Sequence, residues 1–253
     1  MLNFDDRRKL PTLLLIDDDL VSREVTATVL TMSGYTVHTA MDGDSALVML
    51  SSGGVKPDAI LMDAQMPGLS GIRLIAELRT RTKARVFAIS GSNPPHEVVD
   101  AADGFLLKPF SVDALGKLIA GPATQLAQFA PSRLDPSEPV ISPEILAQFR
   151  SMMPETAVRE IYVAVVADLT RRLQALEAAI AKGDDVEIRR MGHAIKGGCG
   201  MAGALQAARL GALLEEPPGE TESNQLDNRM ALLGDLRAAA RNLERMLEAE
   251  IST

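Results

Sequence analysis

The chain has 253 residues, a formal net charge of −8, 46% hydrophobic residues and only 3% aromatics. At about 100–200 residues per domain this length suggests two domains, with aliphatic cores of Leu, Val, Ile, Ala and Met, and the acidic balance argues against a nucleic-acid partner, whose phosphates need a basic face. A single cysteine, Cys199, excludes an internal disulfide and a cysteine-based zinc site and suits a reducing cytoplasm.

Residues 1–11 read as a charged N-terminal tail without an apolar signal core. No later apolar run approaches the roughly 20 residues a membrane helix needs, so membrane insertion is not expected. Residues 12–121 alternate two patterns. Strand-like apolar runs end at Ile16, Met62, Ser90 and Lys108, and a fifth candidate spans Tyr35–Thr39. Between them the spacing predicts helices over Leu20–Ser33, Gly43–Ser51, Gly71–Thr80, Pro94–Ala101 and Ser111–Ala120. Such alternation implies a parallel sheet covered by helices on both faces. Continuous apolar runs such as Leu13-Leu14-Leu15-Ile16 are what a sheet buried on both sides requires.

Residues 122–141 are rich in proline, with Pro122, Pro131, Pro136 and Pro139. They read as a linker carrying a short helix at Ala123–Phe129, and few contacts are expected to cross it. Residues 142–253 show only helical patterns. Glu155–Lys182 follows Pro154, Asp184 opens a helix running through His193, Ala202–Glu216 follows, Pro217-Pro218-Gly219 breaks it, and Asn224–Ile251 ends the chain. Helices joined by short loops predict an antiparallel bundle.

Two constellations carry chemistry. Asp17, Asp18 and Asp19 follow the first strand, Asp63 follows the strand Asp58–Met62, and Ser90 and Lys108 end two more. In a parallel sheet these carboxyl ends meet at one edge. Converging carboxylates need a cation, and a sparse set of hard oxygen ligands suits Mg²⁺ with retained waters. A carboxylate nucleophile with a metal, a lysine and a hydroxyl fits phosphoryl transfer to aspartate. Taken alone, the three aspartates also suit a helix N-terminus. With LLLIDDD, AILMDAQMPGLSG, VFAISG and DGFLLKPF in order, residues 12–120 resemble a response-regulator receiver domain. The resemblance implies a flavodoxin-like (βα)5 fold with strand order 2-1-3-4-5 and Asp63 as phosphoacceptor. It implies Mg²⁺ held by Asp18 and Asp63, by Asp17 through water, and by the Gln65 carbonyl. It also implies that Ser90 and Lys108 contact the phosphoryl group, that Ser90 and Phe105 form the switch pair, and that Lys108-Pro109 is cis. Asp19 matches no metal ligand of the family and reads as a helix cap.

The second constellation is HAIKGGCGMAG, beginning at His193. Helical spacing puts Lys196, Gly197 and Gly200 on the face of His193. Glycine inside a helix costs about 1 kcal/mol against alanine, so the glycines need a reason. They either open access to the imidazole or permit a close helix crossing. Gly198-x-Gly200-x-x-Gly203 lacks the preceding strand that a dinucleotide site requires. On HAIKGGCG, residues 142–251 resemble a histidine-containing phosphotransfer (HPt) domain, an antiparallel four-helix bundle. That resemblance implies that His193 carries the phosphoryl group, with Lys196 as its cation. Arg189 and Arg190 stand where they could meet an acidic receiver edge.

The two resemblances together imply a cytoplasmic two-component phosphorelay protein rather than an enzyme. A sensor histidine kinase would supply Asp63, and His193 would exchange with an upstream or downstream receiver. Alternatives are a phosphate sink, a phospho-gated interaction protein, or a Mg²⁺-dependent aspartyl-phosphate phosphatase, although the last would need Thr at position 21, where this chain has Val.

Overall fold

The computed structural model describes residues 10–91, 96–121, 139–216 and 222–251. In the first half, β1 (Thr12–Ile16), β2 (Thr36–Ala40), β3 (Ala59–Asp63), β4 (Arg85–Ser90) and β5 (Gly104–Leu107) form one parallel sheet of order β2-β1-β3-β4-β5. Successive strand residues serve opposite faces. Leu14, Ile16, Ile60, Met62, Val86 and Ala88 enter one apolar layer, while Leu13, Leu15, Leu61, Phe87 and Ile89 enter the other. Both layers are closed, which is why the strands are apolar throughout.

The covering helices are α1 (Leu20–Met32), α2 (Gly43–Ser51), α3 (Gly71–Arg81), α4 (His96–Ala101) and α5 (Val112–Ala120). Their starts follow capping chemistry. Asp19 accepts from Ser22 N at 2.8 Å, Asp42 and Ser45 form a capping box, and Ser111 caps α5. Lys108-Pro109 is cis.

The second half is helical: α6 (Pro143–Met152), α7 (Glu155–Lys182), α8 (Asp185–Met201), α9 (Leu205–Glu215) and α10 (Glu222–Ile251). Helices α7 to α10 close a ring in which each packs on two others. Helix α6 is absent from the sequence expectation, yet its start is legible. Ser142 caps Ile145 N, Pro143 occupies the first turn, and Glu144 follows. The expected helix at Ala123–Phe129 and the Pro217–Gly219 break lie outside the described residues.

The halves touch. Helix α1 packs on α6, α7 and α8, and Val21, Val25 and Val29 join the apolar cluster of the bundle. The proline-rich linker composition suggested few such contacts.

Candidate functional site

The ends of β1, β3 and β5 bring three charged side chains into one buried contact. Lys108 Nζ donates at 2.7 Å to Asp17 Oδ2 and at 2.7 Å to Asp63 Oδ2. Ser22 Oγ adds 2.8 Å to Asp17 Oδ2 and lies 3.0 Å from Lys108 Nζ. Asp63 Oδ1 accepts from Gln65 N at 2.8 Å. Burial alone would strip the charge from Lys108, but Asp63 and Asp17 outweigh it and hold the ammonium well above its ordinary range. Burial likewise works against the Asp63 carboxylate, yet Lys108 and the Gln65 amide hold its pKa low.

Asp18 is not one of the carboxylates that Lys108 bridges. Its side chain reaches solvent, but partial burial of the carboxyl, with the charges of Asp63 and Asp17, pushes its pKa up to about 6. The pocket therefore carries more negative charge than Lys108 neutralises. That donor set suits a hard divalent cation. Among the described residues no three acidic, His or Cys side chains are already gathered as a metal cluster; Lys108 stands between two of the candidates, Asp17 and Asp63. Ser90 is buried at the end of β4 and Phe105 is buried in β5.

On α8, His193 Nδ1 lies 2.6 Å from Glu215 Oε1, and Lys196 Nζ donates to Glu215 Oε2 at 2.8 Å. A carboxylate only accepts, so Nδ1 carries the proton of this bond, and in the neutral form of the ring the lone pair is then on Nε2. Burial opposes the Glu215 carboxylate, but the hydrogen bonds from His193 and Lys196 prevail and hold its pKa below the usual value. Glu215 is absent from the sequence expectation. It arrives through a close crossing: a Cβ on Gly192 would meet Gly211 O and Leu214 Cβ at 2.7 Å, and one on Gly211 would meet Lys196 N at 2.7 Å. Residues one turn beyond those glycines, Lys196 and Glu215, are thereby paired.

The expected glycines behave differently from one another. A Cβ at Gly197 would meet no atom within 4 Å, whereas one at Gly200 would lie 3.5 Å from Pro109 and one at Gly198 3.6 Å from Val21 and Asp19. Gly198 and Gly200 thus face the receiver. Cys199 is buried, which pushes its thiol up to about 12 and leaves it unreactive.

The two constellations face each other. A Cβ on Gly91, next to Ser90, would lie 3.5 Å from His193 Cε1. A cavity of about 410 Å³ is lined by Gln65, Arg189, Arg190, His193 and Glu215. Arg189 and Arg190 line this cavity; Arg190 is hydrogen-bonded to Glu187 on its own helix and also feels the charge of Asp18. No described helix is long and apolar enough to cross a membrane.

Comparison with known proteins agrees with this division. The family model of the response regulator receiver domain matches residues 13–120, and that of the Hpt domain matches residues 144–250. Response regulator MprA of Mycobacterium ulcerans is 37% identical over 108 residues, covering 41% of this chain and 46% of that protein. MprA of Mycolicibacterium vanbaalenii is 35% identical over the same coverage. The chain spans about half the length of these curated relatives, at 46%. Among solved structures, a CheY-like receiver domain from Methylobacillus flagellatus aligns with 25% identity and a TM-score of 0.39, over 44% of this chain and 96% of that one. TrrA from Thermotoga maritima aligns with 29% identity and a TM-score of 0.38, over 43% and 95%. With both halves matched, the chain belongs to the two-component phosphorelay proteins, as a response regulator receiver domain fused to an Hpt domain.

Proposed function

We propose that this chain is a phosphoryl carrier with two acceptors, Asp63 and His193, and no catalytic turnover of its own. The observation that carries this reading is the position of the His193 imidazole: it lies against Gly91, next to Ser90, and lines one cavity with Gln65, whose amide donates to Asp63. Asp63 is the nucleophile toward an incoming phosphoryl group. Lys108, now shared between Asp17 and Asp63, becomes the partner of a phosphoryl oxygen once Asp63 is esterified, and Ser90 donates a hydroxyl beside it. Asp18, Asp63 and the Gln65 carbonyl would hold Mg²⁺, with Asp17 bound through water. When bound, the ion neutralises charge on the phosphoryl oxygens. At the second acceptor, Glu215 fixes the ring so that Nε2 is the nucleophile, and Lys196 supplies positive charge.

In this reading a sensor histidine kinase donates to Asp63 and a partner receiver exchanges with His193, in a cytoplasmic relay. Val21 stands where an aspartyl phosphatase needs a pocket hydroxyl. It belongs to the bundle's apolar cluster instead, which weighs against that activity. The test is labelling with a small acyl phosphate. Phosphate on the receiver should require Mg²⁺ and vanish in Asp63→Asn. Phosphate delivered by a phosphorylated partner receiver should vanish in His193→Gln. Label that persists in Asp63→Asn but disappears in Asp17→Asn would refute the assignment.

A further inference from the structure

Helix α1 of the receiver has two apolar faces. Leu30 and Ala27 pack on the sheet. Val21, Val25 and Val29, spaced by one helical turn and 3–8% exposed, belong to the bundle's apolar cluster rather than to either layer of the sheet. Opposite them α8 presents Gly198, whose missing side chain leaves van der Waals room for Val21 and Asp19, while Gly200 leaves room for Pro109 in the loop after β5. The glycines after His193 therefore shape a contact surface for this receiver.

One polar contact fixes its register. Arg172 of α7 reaches Asp168 on its own helix and Asp19 on the receiver. Both sides of the Arg172–Asp19 pair are 13% exposed. Burial would discharge Arg172, but the two carboxylates outweigh it and keep it charged. Asp19 uses Oδ1 to cap α1 and Oδ2 to bind Arg172. It sits one residue from Asp18, so the bridge ties the bundle to the rim of the acidic pocket. A planar guanidinium between two carboxylates is directional in a way that the valine contact is not.

We propose that the phosphoryl partner of His193 is Asp63 of the same chain, and that the Asp19–Arg172–Asp168 bridge is a clamp that registers the two acceptors. This deepens the carrier reading and rests on it. In the step, the Nε2 lone pair attacks phosphorus. The N–P bond forms as the P–O bond to Asp63 breaks, and the Asp63 carboxylate leaves with the bonding pair. The Nδ1 proton stays in place, held by Glu215. No proton, electron or co-reactant has to enter.

The test uses the full chain, Mg²⁺ and a small acyl phosphate, following alkali-labile label on Asp63 and alkali-stable label on His193. In wild type, the transfer rate should not depend on protein concentration. A tethered acceptor presents itself at an effective concentration near the millimolar range. A mixture of phosphorylated His193→Gln with Asp63→Asn chains, at about 10 µM, should therefore transfer roughly 100-fold more slowly. Arg172→Ala should retain Asp63 labelling and lose at least about tenfold in transfer, the scale of one 1.4 kcal/mol coupling. Val25→Asp parts the same interface without replacing a residue of the clamp. It guards against a folding defect in the Arg172 variant, and both should keep native helix content. A mixture as fast as wild type, or a folded Val25→Asp chain with an undiminished rate, would overturn the proposal while leaving the carrier reading intact. If a phosphorylated partner receiver also fails to label His193 in the folded Val25→Asp chain, where the bundle face is bared, it is the carrier reading that falls.

Discussion

Glu215 is the residue on which the histidine site turns. It holds the imidazole through Nδ1 and neutralises Lys196 with its other oxygen. Glu215→Ala removes two charge-assisted bonds, and at about 1.5–3 kcal/mol for such bonds the bundle should lose stability of that order in urea titration. His193 phosphorylation should slow as well, because the ring loses its orientation. The pH dependence has a definite sign. The carboxyl pKa of Glu215 is depressed in the folded chain from its ordinary 4.5, so its contribution is present above that value and is lost as pH falls through the folded pKa. The wild type should lose stability more steeply than Glu215→Gln on acidification below about pH 4.5, the reference value for this carboxyl. Parallel acid titrations of the two would remove this account. Glu215 was not legible in the sequence, because a carboxylate 22 residues from His193 becomes its neighbour only through a helix crossing. Asp17, Asp63 and Lys108 were legible, because the ends of parallel strands always share an edge. Asp19 was half legible: its capping role followed from its place before α1, its second oxygen's partner did not.

At the scale of elements, the glycines of α8 sort by what they face. The sequence marked Gly197 and Gly200 as neighbours of His193, but a single chain does not name the partner of a helix surface. Gly192 and Gly211 prove to be the pair that lets α8 and α9 touch. Gly192→Ala should destabilise by about 1–3 kcal/mol, since overpacking against the Gly211 carbonyl exceeds the gain in helix propensity. Gly197→Ala meets open space and should stabilise by up to about 1 kcal/mol. Urea midpoints of the two variants should therefore move in opposite directions, and movement in the same direction would refute the crossing argument. The same logic explains why α8 continues through its glycines to Met201. Packing of α8 on α1, α7 and α9 compensates for the propensity that the glycines forgo. It ends where Gly203, at φ 72°, adopts a conformation that side chains resist and packs its bare Cα against Ile145. Helix limits set by local chemistry, such as Gly43–Ser51 and Glu155–Lys182, agree with the periodicity. Helix α6 was legible in principle, because Ile145, Leu146, Phe149 and Met152 recur at helical spacing behind the Ser142 cap and pack on the bundle core; its closeness to the proline-rich linker hid it.

At the scale of the whole molecule, the sequence described two domains and a linker, whereas the structure shows the domains sharing an apolar seam. The valines at 21, 25 and 29 look like ordinary core positions of α1 until the sheet is seen to use other residues. Docking by a seam plus one clamp makes a thermodynamic claim. Val25→Asp and Arg172→Ala act on the same docked state, so their effects on the full chain should not add. Once Val25→Asp has parted the domains, Arg172 keeps only its bond to Asp168 on a surface helix, worth about 0.3–0.5 kcal/mol. In the wild type the same substitution also strands Asp19 in a half-buried contact, and hydrogen bonds to charged groups are worth about 1.5–3 kcal/mol. The double-mutant cycle in urea should therefore show a coupling above about 0.5 kcal/mol, the level at which distant sites cease to be additive. Val25→Asp should also bare His193, so a foreign phosphorylated receiver should label that variant faster than wild type while transfer from Asp63 declines. Additive stabilities together with unchanged foreign labelling would mean that the docked arrangement has no hold on the histidine in solution.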